Sequence, residues 1–318
     1  MLIVTFPIAL QIALYNRLMR ATTQHTKAIL QAIFVTILWS TSWILIKVGL
    51  HDNLPPITFA GLRYTLAFIC LAPFVFVKSS HRTVLKQMSA RNWGKLALLG
   101  VVYYTLTQGA MFLALAFLPA NMVSLLLNLT SIFVGIAGIS LLKESPSRLQ
   151  WFGIGLAGLG VGVYFIPIDF PQLQLTGLGI GLFCMMMNVV SSLFSREMNR
   201  DAILPPLVVT FISMGVGSIL MLITGLVIQG FGTATGLDWV IIAWMAVANT
   251  ALAFTLWNRT LQVLSAVESS ILNSLMMPQI AILAFVFLGE GLTSKAIAGL
   301  ALVGVGTLVV QLKPHENM

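Results

Sequence analysis

The sequence is poor in charge, in acidic side chains and in cysteine. Only 8% of its 318 residues are charged while 58% are hydrophobic, whereas about a quarter of the residues in a water-soluble domain are charged. Its two cysteines, Cys70 and Cys184, lie inside apolar runs and do not form a disulfide framework of the kind that small secreted domains use. The composition therefore excludes a soluble globular domain and indicates an integral membrane protein.

Signatures of catalysis are also missing. All four histidines fall in predicted loops or tails, at His25, His51, His81 and His315. The chain has no HExxH, no GxSxG and no pair of intramembrane aspartates. It also lacks a phosphate-binding glycine loop ahead of a lysine and a hydroxyl residue, so ATP would not drive it directly. We expect no enzyme activity, no metal and no cofactor, and any transport should be passive or coupled to a gradient.

Apolar runs long enough to cross a bilayer, roughly 20 residues each, recur through the chain. They are predicted at 29–49, 57–77, 94–115, 120–142, 149–166, 174–195, 206–229, 239–258, 265–288 and 295–312. Prolines and polar residues between them, as at 52–56 and 168–171, are typical helix ends. The predicted fold is therefore an all-α integral membrane protein with ten transmembrane helices, numbered here as spans one to ten.

The second half of the chain repeats the first. An offset of 146 residues pairs Glu144 with Glu290, and the short Glu-containing loop after span four returns after span nine. Each repeat holds an odd number of spans, so the second must insert upside down relative to the first, an arrangement typical of transporters with a site near the bilayer midplane. The predicted units are a cytoplasmic N-terminal segment (1–28), a first five-helix repeat (29–166) and a second (174–312).

Most of the 17 Lys and Arg residues fall on one side of the membrane if both termini are cytoplasmic, as the positive-inside rule requires. The exceptions are Lys47 and Lys295 near the outer face and Arg63 within span two. Arg63 needs a partner, for which Asp52, backbone carbonyls and Glu290 are candidates. A structural clamp is favoured over substrate binding for this arginine.

The segment 1–14 is apolar but too short to span a bilayer. It lacks the basic leader of a secretion signal. Two interpretations are open, an interfacial segment or an artefact of an upstream start with Met19 as the alternative beginning, and the artefact is favoured.

Polar and aromatic side chains recur every four residues in two corresponding spans. Span one carries Trp39, Trp43 and Lys47, and span six carries Asn188, Ser192 and Arg196. Because polar groups are costly against lipid, both stripes should face the bundle interior or a water-filled cavity. Arg196 is explained by the positive-inside rule, whereas Lys47 is either a substrate or gating residue or a cation that reaches the surface.

A set of amide and phenol side chains is predicted inside the membrane. Its members are Gln108, Asn128, Asn249, Asn258, Asn273, Tyr103 and Tyr104. Interhelical hydrogen bonding explains each one singly, but as a set around a pseudo-symmetric interface they are candidate substrate contacts. Glu268 is explained by a capping box that Ser265 opens, and Glu144 and Glu290 are expected to organise their own turns.

Two features bear on helix packing. Pro278 falls inside span nine and frees a backbone carbonyl one turn earlier, which suits a bend or a polar site. Spans five and ten carry glycines at short intervals, as at 153–162 and 299–306. Such small residues let helices approach closely, so these spans are predicted to offer scaffold or association faces.

Taken in the order in which they occur along the chain, the motifs of this sequence resemble those of EamA-type transporters of the drug/metabolite transporter superfamily. The residues that carry the resemblance are Trp39-Ser-Thr-Ser-Trp43-Ile-Leu-Ile-Lys47, Arg63-Tyr64, Leu256-Trp257-Asn258-Arg259, Pro278 and Leu-Gly-Glu290, across about 28–312. The resemblance implies two inverted five-helix repeats, with spans five and ten peripheral and a central cavity lined mainly by spans one, three, four, six, eight and nine. It also implies a bacterial inner-membrane carrier that exports amino acids or related small metabolites by alternating access.

The same resemblance assigns the cavity. By position, the family's cavity-facing places fall on Trp39, Trp43, Gln108, Asn128, Asn188, Ser192, Asn258 and Asn273, and Lys47 is added as a candidate contact for a substrate carboxylate. One departure is Ser131-Ile132, where members often have a proline like Pro278, and this argues against two equal helix bends.

The alternative function is a non-transporting partner or sensor subunit that keeps the fold. The expected partners are a small-molecule substrate and the lipid bilayer, not nucleic acid, and homodimerisation is left open.

Overall fold

A computed structural model describes residues 8–51, 54–130, 132–134, 147–165, 172–200, 204–260, 263–264 and 272–311, and within these ranges the secondary structure is helical. The helices are α1 (Ile8–His51), α2 (Pro56–Val77), α3 (Ser79–Gln87), α4 (Ala90–Gly100, Val101–Gln108 and Gly109–Phe117), α5 (Ala120–Asn128), α6 (Arg148–Phe165), α7 (Gln172–Arg200), α8 (Pro206–Ile228), α9 (Gly236–Trp244, Met245–Leu252 and Ala253–Thr260), α10 (Met276–Leu288) and α11 (Ser294–Gln311). Spans one and two correspond to α1 and α2, and spans three to ten correspond in order to α4 through α11.

Among the residues that the structure describes, six helices are long and apolar enough to cross a membrane. These stretches are Gln24–Leu50, Pro56–Val77, Ala90–Phe117, Leu173–Ser195, Pro206–Ile228 and Gly236–Trp257. Shorter apolar helices occupy Ala120–Val134, Trp151–Tyr164, Leu272–Leu288 and Ser294–Val309. The prediction of an all-α, multi-pass membrane protein is therefore confirmed.

The first helix is much longer than a single crossing requires. Its 44 residues correspond to roughly 66 Å at 1.5 Å per residue, about twice the thickness of the hydrocarbon core of a bilayer. The helix begins at Ile8 and runs without a break through the predicted boundary at residue 28. The N-terminal segment and the first span thus form one continuous helix.

Large apolar side chains cover the outside of the bundle. Val77, Val227 and Phe287 are 78%, 79% and 68% exposed. Exposed apolar surface of this extent is unfavourable in water. It suits a protein whose outer surface faces hydrocarbon, as the low charge content requires.

Glycines determine which helices pack most closely. A Cβ atom added to Gly160 of α6 would lie 2.7 Å from the amide nitrogen of Val303 in α11. One added to Gly61 of α2 would lie 2.5 Å from Cα of Leu222 in α8. Glycine is therefore required at both contacts, because any larger residue would meet backbone. The glycine faces of spans five and ten pack against each other within one chain.

Two π-helical segments interrupt α4 and α9 at corresponding places. They span Val101–Gln108 and Met245–Leu252, and an offset of 144 residues superposes them. A π-helix adds one residue per hydrogen-bonded turn and often occurs at functional sites. The apolar pattern of the sequence did not predict either segment.

The helices of spans four and nine are interrupted by matching turns. Leu129 has φ −62° and ψ −19°, and Leu275 has φ −63° and ψ −18°. At each turn the amide donates to a carbonyl three residues back, Leu129 to Leu126 and Leu275 to Leu272. The turn at Leu129 therefore forms although span four has Ser131-Ile132 where span nine has Pro278.

Candidate functional site

Six aromatic side chains form a continuous cluster that joins α1, α2, α4 and α9. We call this the aromatic cluster, and its members are Trp39, Tyr64, Tyr103, Tyr104, Phe254 and Trp257. The centroid of the Trp39 ring lies 5.1 Å from that of Trp257 and 5.2 Å from that of Phe254. Tyr103 lies 6.3 Å from Phe254 and 4.9 Å from Tyr104, which lies 5.5 Å from Tyr64. Tilted and edge-on contacts of this kind are favourable arrangements for aromatic pairs.

Trp39 is held by the π-helical segment of α9. Its indole Nε1 donates to the carbonyl oxygen of Asn249 at 3.1 Å. In return, Asn249 Nδ2 donates to the carbonyl oxygen of Leu38 and, at 3.1 Å, to Thr41 Oγ1. Asn249 is fully buried and its Oδ1 has no hydrogen-bond partner. These reciprocal bonds fix α1 against α9 beside the aromatic cluster.

Arg63 is a buried cation in α2, 2% exposed. Its Nε donates to Thr250 Oγ1 at 2.9 Å and its Nη2 donates to Ser42 Oγ at 3.2 Å. The guanidinium also lies 5.0 Å from the ring centroid of Tyr64, a distance at which a cation and an aromatic face attract. Its contacts are those of a structural clamp between α2, α1 and α9.

Within the described residues, Arg63 does not bind the predicted Glu290 or a backbone carbonyl group. Glu290 binds a different part of the chain, and Asp52 lies outside the described residues. The hydrogen-bond acceptors of Arg63 are neutral hydroxyl groups. Hydrogen bonds and ring contacts offset part of the cost of burying the charge.

Gln108 is the last residue of the first π-helical segment, and its side chain connects this segment to α2. The hydroxyl of Tyr64 donates to Gln108 Oε1 at 2.7 Å. Gln108 is only partly buried, and its side chain also makes a hydrogen bond with Tyr103. This predicted site residue therefore lies against the aromatic cluster.

A second polar group lies at the turn after α5. Asn188 Nδ2 of α7 donates to Thr130 Oγ1 at 3.3 Å. Asn128, which precedes the turn, has a buried Oδ1 for which the described part of the chain offers no hydrogen-bond donor. A buried acceptor in this state costs free energy until a donor reaches it. Ser192, one helical turn beyond Asn188, is half-buried.

Gln279 is a candidate that sequence reasoning missed. Ser40 Oγ donates to Gln279 Oε1 at 2.9 Å, and Gln279 Nε2 lies 3.4 Å from Thr36 Oγ1. These contacts tie α1 to α10 one residue after Pro278. The available signal was an amide beside the proline of span nine, together with two hydroxyl residues one turn apart in span one.

The remaining predicted residues are more dispersed. Trp43 is 6% exposed and belongs to the main apolar core. Asn273 is exposed, and the side chain of Asn258 lies outside the described residues. Lys47 Nζ donates to the carbonyl oxygens of Leu115 and Leu118, at 3.0 Å each.

The site offers aromatic faces and neutral hydrogen-bonding groups. Among the described residues, no three His, Cys, Asp or Glu side chains lie together as metal ligands would. This combination of aromatic and neutral polar side chains suits the reversible binding of a small polar solute with an apolar part. Together with the multi-pass fold, it defines a membrane protein of the transporter class.

The comparison with protein families is consistent with this class. The model of the EamA-like transporter family matches residues 26–166 and again 175–312. The chain belongs to the EamA-like transporter family, whose members are transporters and not enzymes. The two matches fall on the two halves in which the internal repeat was found.

Individual relatives and one solved structure agree. The chain is 26% identical over 290 residues to a "Probable amino-acid metabolite efflux pump" of Salmonella typhimurium, covering 87% of this chain and 92% of that protein. It is 24% identical over 298 residues to an uncharacterized transporter of Bacillus subtilis, covering 91% and 92%. A crystal structure superposes with a TM-score of 0.66 at 17% identity over 90% of this chain and 97% of that one, which shows a shared fold.

Proposed function

We propose that this protein is a secondary transporter that exports amino acids or related small metabolites across the inner membrane by alternating access. The observation that carries the proposal is the aromatic cluster with its polar neighbours, which joins helices from both halves of the chain. Support comes from the name of the Salmonella typhimurium relative, which is similar along most of its length. A second relative of the same name, from Escherichia coli, is 30% identical over 131 residues, or 41% of this chain and 40% of that protein.

The proposed topology is ten spans in two inverted five-helix repeats, with both termini in the cytoplasm. The family model matches once in each half, and the paired π-helices and paired turns fit a duplicated fold. Cations concentrate between spans on the side assigned to the cytoplasm. Oligomerisation would have to use other surfaces than the glycine faces of α6 and α11.

In the proposed mechanism, a solute binds beside the aromatic cluster. Trp39 and Tyr103 contact its apolar part, and Gln108, Asn188 and Ser192 hydrogen-bond its polar groups. The free acceptor at Asn128 Oδ1 suits an N–H or ammonium donor, which amino acids carry. Movement of the two halves about this site would expose it to each side in turn.

The experiment compares metabolites in the medium of bacteria that overproduce the natural protein, Trp39→Ala or Trp151→Ala. Trp151 is 58% exposed on α6, so its replacement is a matched control that leaves the site unchanged. We expect a few metabolites to accumulate outside the cells with the natural protein and the control, and not with Trp39→Ala at equal membrane abundance. These metabolites would identify the substrate.

Identical profiles for all three strains and for cells without the protein would contradict export. In that case uptake assays with labelled amino acids decide the direction of transport. Absence of any flux would favour the alternative, a non-transporting partner or sensor subunit.

A further inference from the structure

The junction between α4 and α5, residues 118–121, binds two charged side chains from distant parts of the chain. Lys47 Nζ of α1 donates to the carbonyl oxygens of Leu115 and Leu118, at 3.0 Å each. Glu290, between α10 and α11, accepts from the amide of Ala120 at 2.7 Å through Oε1 and from that of Asn121 at 3.2 Å through Oε2. Lys47 therefore binds carbonyl groups at the end of α4, and Glu290 binds amide groups at the start of α5.

Helix ends explain why a cation and an anion are both found here. The last carbonyls of α4 and the first amides of α5 have no partners within their own helices. The C-terminal end of a helix carries partial negative charge and the N-terminal end partial positive charge. Lys47 and Glu290 match these signs, and hydrogen bonds with one charged partner are the stronger kind.

The junction is the meeting point of the two halves at this end of the bundle. Lys47 and the junction lie in the first family match, whereas Glu290 lies in the second. Leu118 is 1% exposed and Ala120 is fully buried. From the second half, α7 also contacts the junction, since a Cβ at Gly177 would lie 2.6 Å from Phe117 Cβ. The junction is therefore buried between the two halves in the structure.

We propose that Glu290 is a gating residue that holds this end of the transporter closed, and that Lys47 is the positioning residue that keeps the junction ready to receive it. The proposal rests on the proposed function, because only a transporter has to open this end during its cycle. Separation of the halves would break the bonds of Glu290 to Ala120 and Asn121. Lys47, bound within the first half, would remain with the junction.

The test measures how fast a buried reporter cysteine reacts when this end opens. Ser124 is 4% exposed, one turn into α5, so Ser124→Cys is a small change in a protein whose own Cys70 and Cys184 are replaced by alanine. A membrane-impermeant thiol reagent is added to one side of sealed right-side-out vesicles, and to the other side in inverted vesicles. Glu290→Gln, Lys47→Met and the control Lys295→Met are compared. Lys295 is an exposed cation at the start of α11 and does not touch the junction.

We expect Glu290→Gln to raise the reaction rate roughly tenfold or more from the junction side only, since a charge-assisted contact is lost. Lys47→Met should raise it less, and Lys295→Met should leave it unchanged. Unchanged rates in Glu290→Gln, with the unfolding temperature retained, would overturn the proposal. Equal increases from both sides would also overturn it, because they would indicate a purely structural role.

A double variant, Lys47→Glu with Glu290→Lys, exchanges the two charges. It tests whether the two side chains act through the backbone groups that they bind or as an ion pair. Each side chain binds backbone groups of fixed polarity, so exchange should not restore slow labelling. Full restoration would show that attraction between the two charges, and not their bonds to the backbone, keeps labelling slow, and would overturn the proposed roles. Because labelling requires no substrate, the two tests are independent. A negative labelling result would not contradict export, and a negative export result would not change the labelling rates.

Discussion

Arg63 and Tyr64 are neighbours in α2, yet they bind the π-helical segments of opposite halves of the chain. Arg63 Nε donates to Thr250 Oγ1 at 2.9 Å in the second segment, and the Tyr64 hydroxyl donates to Gln108 Oε1 at 2.7 Å in the first. A π-helix is rare and is frequently found at functional sites. One turn of α2 therefore supports both irregular segments beside the aromatic cluster.

Replacing Arg63 by alanine should destabilise the protein strongly. The change removes bonds to two helices and leaves a void beside the rings of Tyr64 and Phe112. We expect a loss of about 2–4 kcal/mol, measured by thermal unfolding in detergent. The control Arg91→Ala removes an exposed cation and should change stability by less than about 0.5 kcal/mol. Equal melting temperatures for the two variants would rule out the clamp.

The bond between Tyr64 and Gln108 can be measured by a double-mutant cycle. Tyr64→Phe and Gln108→Ala should each lower stability, and the double variant should lose less than their sum by about 1 kcal/mol. Tyr64→Phe with Arg82→Ala, a distant exposed site, should be additive. Additivity in both cycles would show that the hydroxyl and the amide do not interact in solution.

Two glycines of α6 should respond oppositely to the same substitution. A Cβ at Gly160 would lie 2.7 Å from Val303 N and 2.8 Å from Gly299 O, whereas one at Gly158 would meet nothing within 4 Å. Gly160→Ala should therefore lower the melting temperature by forcing α6 and α11 apart. Gly158→Ala should be neutral or slightly stabilising, since alanine favours helix. The contact between α6 and α11 would be in doubt if both variants melted like the natural protein.

Leucine substitutions at Asn128 and Asn188 should have different effects on the stability of the protein, and the first should abolish transport without lowering stability. Asn128→Leu removes a buried acceptor that has no partner, so in the absence of substrate stability should hold or rise by about 1 kcal/mol, while export is lost. Asn188→Leu breaks the bond to Thr130 Oγ1 and should lower stability. Undiminished export by Asn128→Leu at equal abundance would remove this acceptor from the substrate site.

Much of the architecture could be predicted from local pattern. Apolar runs and low charge indicate membrane helices, because backbone polar groups in lipid must be satisfied within a helix. The glycines of spans five and ten predicted close packing, and the structure pairs those two helices. Trp39 and Gln108 were recognised as site candidates because aromatic and amide groups stand out in an apolar helix.

Other features depend on contacts between residues far apart in the chain. Glu290 was expected to organise its own turn but binds the amides of Ala120 and Asn121. Lys47 was expected either to serve as a substrate or gating residue or to reach the surface, and its Nζ binds the carbonyl oxygens of Leu115 and Leu118. No periodicity reveals which helix end will lie beside a charged side chain, because that depends on how the bundle closes.

By itself, the sequence determined that this chain enters a membrane as a duplicated set of apolar helices, because hydrophobicity and repetition are local properties of the residues. Only the tertiary structure decided where the helices depart from regular geometry and which side chains meet. The π-helix of α9, for example, binds Trp39 of α1 and Arg63 of α2. Those contacts exist only once the two halves have packed together.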